Sequence, residues 1–398
     1  MTAIARLRRR VNRRVYRGLA ALYRTAFLRG APGGPADPAS VRRVLVVRPD
    51  RLGDFVVTTP LLAFLSAALP HAELDVLASP GNAALAQADP RVARVIVHDH
   101  TWRGWLRARR ACRARAHDLV LSVIEGKGLR EGLVAAAFAP PNARRATTPR
   151  PKRYLGFFSY CARPAGRRAH MADRVLAVGR AALGYPPAPD GAVLAEYPYA
   201  VGRRAEGAAR AEAFVAELTA RYGPGPLVAA NAWAVEPQRH LGGERLAELL
   251  VLLARRHPET RFVLVAPPAN RAEAEAAVAA AAARGAHAHL YPPSPHVLDV
   301  VELLRRAAAL VTPDTGLVHL AAAAGCPVVA LYSPRATRLE QWEPVGVPRR
   351  LLMAPPGAAV TAIPLADAAA AFDALWDKIA GRAGRPAVGR RVTGASAG

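Results

Sequence analysis

The chain has 398 residues, of which 52% are apolar and 21% charged, enough for two domains with full cores and too apolar for a disordered chain. Lysine and arginine number 55 against 30 acids, a net charge of +25, and all of those cations except Lys127, Lys152 and Lys378 are arginine. The excess favours anionic partners such as phosphates, acidic lipids or nucleic acid, while Cys112, Cys161 and Cys326, scattered and without a CxxC spacing, argue against a disulfide framework or a structural zinc and for a reducing compartment.

Residues 1–30 carry nine arginines and no acid. Ile4, Leu7, Val11, Val15, Leu19, Leu22 and Ala26 recur at helical spacing, with Arg6, Arg10, Arg13, Arg17 and Arg24 opposite them. An apolar stripe facing arginines suits the headgroup region of an anionic membrane, and equally a helix docked on its own protein with the arginines in solvent. No apolar run is long enough for a spanning helix. The arm also lacks the continuous apolar segment and cleavage site of a secretory signal. Residues 30–35, rich in Gly and Pro, read as a break, so 1–40 form an arm and linker.

The first domain, 41–210, opens with a strand over 41–47 in which Val44, Leu45, Val46 and Val47 are buried on both faces, as in a parallel sheet. The spacing then predicts a helix over 56–69, with Pro60 near its first turn, where proline is tolerated. Further strands fall at 74–78, 95–97 and 119–124. This alternation of strand and helix marks a doubly wound α/β domain. His98-Asp99-His100 follows a strand and reads as a polar loop rather than a metal site. Gly126-Lys127-Gly128 lacks the rest of a phosphate-binding loop and reads as a turn. From 140 to 168 the pattern dissolves into Pro, Arg and aromatic residues, which suggests an ordered loop or a substrate-facing insertion.

The second domain, 211–380, shows strands at 227–230 and 262–266 and helices at 243–256, 272–283, 297–306 and 365–379. Within it, 308–312 reads as a short buried strand ending at Pro313, followed by Asp314-Thr315-Gly316-Leu317-Val318-His319, an apolar helix, Gly325-Cys326-Pro327 and a strand at 328–332. Asp314 or Thr315 can cap that helix, Gly316 admits a close ligand, and the free amides of the first turn attract an anion such as a diphosphate. His319 lies on the same turn. Residues 381–398 read as a mobile tail. Open α/β sheets bind ligands at the carboxyl ends of their strands. The Asp54 and Asp314 loops both occupy such ends, one in each half, so a reaction between two substrates across a cleft is expected.

Val44 to Asp54, with Thr58-Thr59-Pro60-Leu61-Leu62 behind it, and Pro313 to Ala323, with Gly325 to Tyr332 behind it, resemble the two signatures of glycosyltransferase family 9, the ADP-heptose:lipopolysaccharide heptosyltransferases and their relatives. The resemblance covers roughly 41–380. It implies a GT-B fold, two Rossmann-like doubly wound domains facing a central cleft, and inverting transfer of a heptose-like sugar from a nucleotide-diphosphate donor such as ADP-heptose. The acceptor it implies is lipopolysaccharide core or another glycan or glycolipid. It places the catalytic base at Asp54, with Arg51 and Gly53 on the acceptor and phosphate side. Donor binding goes to Asp314, Thr315, Gly316 and His319, to Arg239 where the family has lysine, and to Asn270 near the family's acidic donor contact. The family's Trp-Pro is here Leu241-Gly242. No Asp-x-Asp pair indicates a metal clamp, and no cofactor is expected. With the basic arm, this implies a cytoplasmic protein peripheral on the inner face of the cytoplasmic membrane, the anionic surface being met through residues 1–30. Other readings stay open: a different GT-B enzyme of cell-envelope polysaccharide synthesis, a family member without activity, or a non-catalytic basic protein that binds membrane or nucleic acid. No nucleic-acid module is seen, and nucleic acid is not an expected partner.

Overall fold

The computed structural model describes residues 33–124, 137–140, 142–147, 158, 160–162, 169–189, 191–334 and 339–383. The basic arm, Gly126-Lys127-Gly128 and the chain from 384 onward lie outside these residues.

β1 (Arg43–Arg48), β2 (Glu73–Ala78), β3 (Val92–Val97), β4 (Leu119–Ser122), β5 (Arg144–Thr147) and β6 (Tyr160–Cys161) form one sheet in the order β3-β2-β1-β4-β5-β6. β7 (Leu227–Ala230), β8 (Arg261–Leu264), β9 (His287–Leu290), β10 (Ala309–Pro313), β11 (Val328–Tyr332) and β12 (Arg349–Met353) form a second, in the order β12-β11-β10-β7-β8-β9. Every neighbouring pair is parallel. Numbered from its own first strand, each sheet has the same order, and in each the first strand lies beside the fourth, the switch point at which doubly wound sheets bind ligands.

The apolar runs explain the layers. Side chains alternate across a strand, so in β1 Val44 and Val46 enter one core while Leu45 and Val47 enter another. The first of these cores is continuous between the two halves. It takes in Val44 and Val46 of β1, Leu310 of β10, and the helices Leu52–Ala68, Val297–Leu304 and Gly316–Ala324. The seam between the halves is therefore apolar, which fixes them against each other more firmly than a wet interface would. The outer faces are covered separately, by Trp102–Ala114 on the first sheet and by Gly243–Arg256 and Leu365–Ala383 on the second.

The chain crosses between the halves at 199–204. A Cβ on Gly202 would fall 2.0 Å from the Ala88 carbonyl, so only glycine passes there. Beyond it, Arg203 pairs with the buried Glu302 at 3.2 Å, Arg204 with the buried Asp299 at 2.7 Å, and Arg305 donates to the Val201 carbonyl at 3.0 Å.

Three expectations are corrected. The helix expected from 56 begins at Leu52, so Asp54 sits inside its first turn and not on the loop before it. Pro60 consequently lies in the helix interior. A proline there leaves the carbonyl four residues back without its donor. The Thr59 hydroxyl supplies one instead, donating to the Val56 carbonyl at 2.7 Å. Finally, 140–168 is not simply a loop, since β5 and β6 continue the sheet within it.

Candidate active site

The first motif is held from within. Arg51 precedes the Leu52–Ala68 helix, and Asp54, third in that helix, accepts from the Arg51 amide through Oδ2 at 3.1 Å. A carboxylate there satisfies one orphan amide and meets the positive end of the helix dipole. Beneath it lies the guanidinium of Arg48, the last residue of β1, which donates to the Asp54 carbonyl at 3.0 Å. Asn82 reaches back from outside, donating to the carbonyls of Arg48 at 2.9 Å and Asp50 at 3.3 Å.

The second motif follows β10. Thr315, rather than Asp314, caps the Gly316–Ala324 helix, its Oγ1 accepting from the Leu317 amide at 3.3 Å. This leaves the Asp314 carboxylate free to pair with Arg239, 3.2 Å away on the Pro237–Arg239 turn. Burial raises the Asp314 pKa above its usual value, against the opposing pull of Arg239. Asn231, just after β7, donates to the Trp233 carbonyl at 3.2 Å and to Thr312 Oγ1 at 3.0 Å, so one buried amide braces the segments that follow β7 and close β10.

The two motifs touch. A Cβ on Gly53 would fall 2.9 Å from His319 Cδ2 and 3.3 Å from Gly316 Cα, and one on Gly316 would fall 3.3 Å from the Gly53 amide nitrogen. The two first turns thus meet backbone to backbone across the domain boundary. Over this contact runs a chain of charges: Arg51 to Glu236 at 3.0 Å, Glu236 to Arg239 at 3.3 Å, and Arg239 to Asp314. Arg51, Gly53, Asp314, Gly316 and Arg239 are therefore brought together where the two halves meet, with Asp54 and Thr315 next to them on the same two motifs.

His319 and Asn270 are placed differently. The His319 ring is buried under Gly53, edge-on to Tyr199 and Trp342 at centroid distances of 6.3 and 6.1 Å. Burial, and then the neighbouring His170, push its pKa down to about 3, so at neutral pH it is an uncharged group. Asn270 donates to Glu273 at 3.3 Å, and it is Glu273 that carries the charge, accepting from Trp233 Nε1 at 2.6 Å and the Gly243 amide at 2.7 Å. Burial would raise the Glu273 pKa, but these bonds outweigh it and hold the carboxyl below its usual value. Arg48, Asn231, Trp233, Glu236 and Glu273 belong to this polar network, and sequence reasoning did not single them out. Only Glu236, three residues before Arg239, carried a signal in its spacing.

In the His98-Asp99-His100 loop, Asp99 accepts from the Thr101 amide and hydroxyl at 3.0 and 2.7 Å and pairs with Arg107 at 2.7 Å. Among the described residues, no helix is long and apolar enough to cross a membrane.

The same fold occurs in solved structures. A glycosyl transferase family 9 protein from Veillonella parvula superposes with a TM-score of 0.71 at 18% identity, over 87% of this chain and 100% of that one. E. coli ADP-heptose lps heptosyltransferase II gives 0.63 at 19%, over 84% and 99%. E. coli heptosyltransferase WaaC with ADP gives 0.59 at 22%, over 86% and 99%. The two facing parallel sheets are those of a GT-B glycosyltransferase. No curated protein matches the chain by sequence. The model of glycosyltransferase family 9 (heptosyltransferase) matches residues 143–357, more than half of the chain. The chain belongs to glycosyltransferase family 9 and is a glycosyltransferase of the heptosyltransferase family.

Proposed function

We propose that this enzyme moves a heptose-like sugar from a nucleotide-diphosphate donor, ADP-heptose in the first instance, to a lipopolysaccharide-core or related glycan or glycolipid acceptor, inverting the anomeric carbon and using no metal. The contact of Gly53 with Gly316 supports this reading, because it brings the helix turn that carries Asp54 against the turn that follows Asp314. A sugar hydroxyl is a poor nucleophile, and Asp54 takes its proton as the new glycosidic bond forms. The bond from the anomeric carbon to the diphosphate breaks on the opposite face, and the electron pair leaves with the diphosphate. A single displacement needs only this one carboxylate and inverts the centre.

The departing charge falls at the first turn of the Gly316–Ala324 helix, whose amides and dipole favour an anion. Arg239 adds a cation once the diphosphate draws it from Asp314 and Glu236. His319, neutral and buried, supports this turn from beneath and brings no positive charge to it. Asn270 and Glu273 border the nucleoside end. The absence of an Asp-x-Asp pair from the sequence supports metal independence, and residues 1–30 are assigned to the anionic membrane surface where a lipid-linked acceptor would lie.

The test is a thermal-shift panel of nucleotide diphosphates and their sugars, followed by ADP release from ADP-heptose with a heptose-deficient lipopolysaccharide core. ADP and ADP-heptose should raise the melting temperature more than UDP and UDP-glucose. Equal shifts across the panel would remove the assignment of the donor.

A further inference from the structure

The side chain of Arg48 is wholly buried. A buried guanidinium needs anionic or carbonyl partners, and those of Arg48 belong to the first motif or to the strand beside it. Nε donates to the Asp54 carbonyl at 3.0 Å, and Nη1 donates to the Asp50 carboxylate at 3.2 Å and to the Val123 carbonyl just beyond β4. Among the described residues Nη2 makes no hydrogen bond, and it lies 3.5 Å from Asp54 Oδ1. The other oxygen of that carboxylate, Oδ2, is bound by the Arg51 amide at 3.1 Å.

We propose that Arg48 is the positioning residue of the catalytic carboxylate, aiming Asp54 so that Oδ1 is the atom that takes the acceptor's proton. This rests on the base role of Asp54 proposed above and adds the reacting atom and the group that places it. Oδ2 is committed to the helix amide, so the proton goes to Oδ1. A full hydrogen bond from Arg48 would also commit Oδ1, whereas at 3.5 Å the guanidinium orients the group by charge and leaves a lone pair for the substrate. A cation beside a base opposes proton uptake, since it favours the charged form. Asp50 counters this by sharing the same guanidinium, so that two carboxylates face one cation. In the step itself, one proton passes from the acceptor hydroxyl to Oδ1 while the glycosidic bond forms and the bond to the diphosphate breaks; Arg48 exchanges none.

Arg48→Lys keeps the charge and loses the fork, and Arg48→Ala loses both. With ADP-heptose and a heptose-deficient lipopolysaccharide core, both variants should hold KM for ADP-heptose within about threefold. kcat should fall about tenfold for lysine and about 100-fold for alanine, the scale of a misplaced reacting group. Added guanidinium chloride at low millimolar concentration should restore about tenfold to Arg48→Ala and nothing to Asp54→Asn. Should the alanine variant fail to fold, the kcat and KM of Arg48→Lys carry the same test. Wild-type kcat in either Arg48 variant beside an inactive Asp54→Asn overturns the positioning role and leaves the base in place. Loss of kcat with a proportional rise in KM and no recovery by guanidinium also overturns it, making Arg48 a structural residue. Wild-type turnover by Asp54→Asn removes the base itself and the present inference with it.

Discussion

His319 shows how one buried side chain sets a response of the whole molecule to pH. Its pKa in the folded chain is about 3, against 6.5 when exposed. Because the folded value is the lower one, the unfolded chain binds the extra proton first, and stability present above pH 6.5 is lost as pH falls toward 3. Well inside that window the loss is about 1.4 kcal/mol per pH unit. His170, whose pKa burial also lowers, adds to it in the same direction. Urea unfolding of the wild type at pH 7.5 and pH 5 should show this fall, and His319→Phe should flatten it; an unchanged slope would assign the effect elsewhere. The sequence placed His319 near the start of the Gly316–Ala324 helix but could not reveal that its ring lies under Gly53. The choice of cap was hidden too: Asp314 and Thr315 are both good caps, and only the Asp314 pair with Arg239, far off in the chain, decides it. Arg48 and Glu273 escaped for the same reason, since Val123 and Trp233 lie 75 and 40 residues from them.

At the scale of elements, the Leu52–Ala68 helix is the piece that carries the site while spanning the seam. Its interior proline is accommodated by Thr59, whose hydroxyl donates to Val56 and accepts from the Ala200 amide at 3.1 Å. One hydroxyl therefore mends the helix and fastens the interdomain crossing to it. Thr59→Val, nearly equal in volume, strands both backbone groups and should cost about 1–3 kcal/mol for each. Chemical denaturation checks this, and a loss below about 0.5 kcal/mol would show that the groups find other partners. Where an element had a continuous apolar run or a full amphipathic period, the sequence located it closely: Leu227–Ala230, Gly243–Arg256 and Val328–Tyr332 fall at the expected bounds. β9 and β12 did not show because they are edge strands with half-exposed side chains, in His287–Leu290 and Arg349–Met353. Trp102–Ala114 was hidden by its arginines, although Gly104, Ala108 and Cys112 bury one face at helical spacing.

For the whole molecule, an apolar seam holds the halves together and a line of charges runs from one half to the other. The outermost pair, Arg51 with Glu236, is largely exposed and contributes little to stability. On the proposed function, a diphosphate would compete with Glu236 for two arginines. The central claim is that the carboxylate and the pyrophosphate cradle act on one glycosyl unit from opposite walls. It is tested most directly on Asp54→Asn, by titrating ADP into the protein and measuring ADP release from ADP-heptose in the presence of the core acceptor. The expected result is an ADP affinity within about threefold of wild type and turnover reduced by about 100-fold or more, the scale of a lost general base. Turnover near that of the wild type, with ADP still bound, would contradict the account.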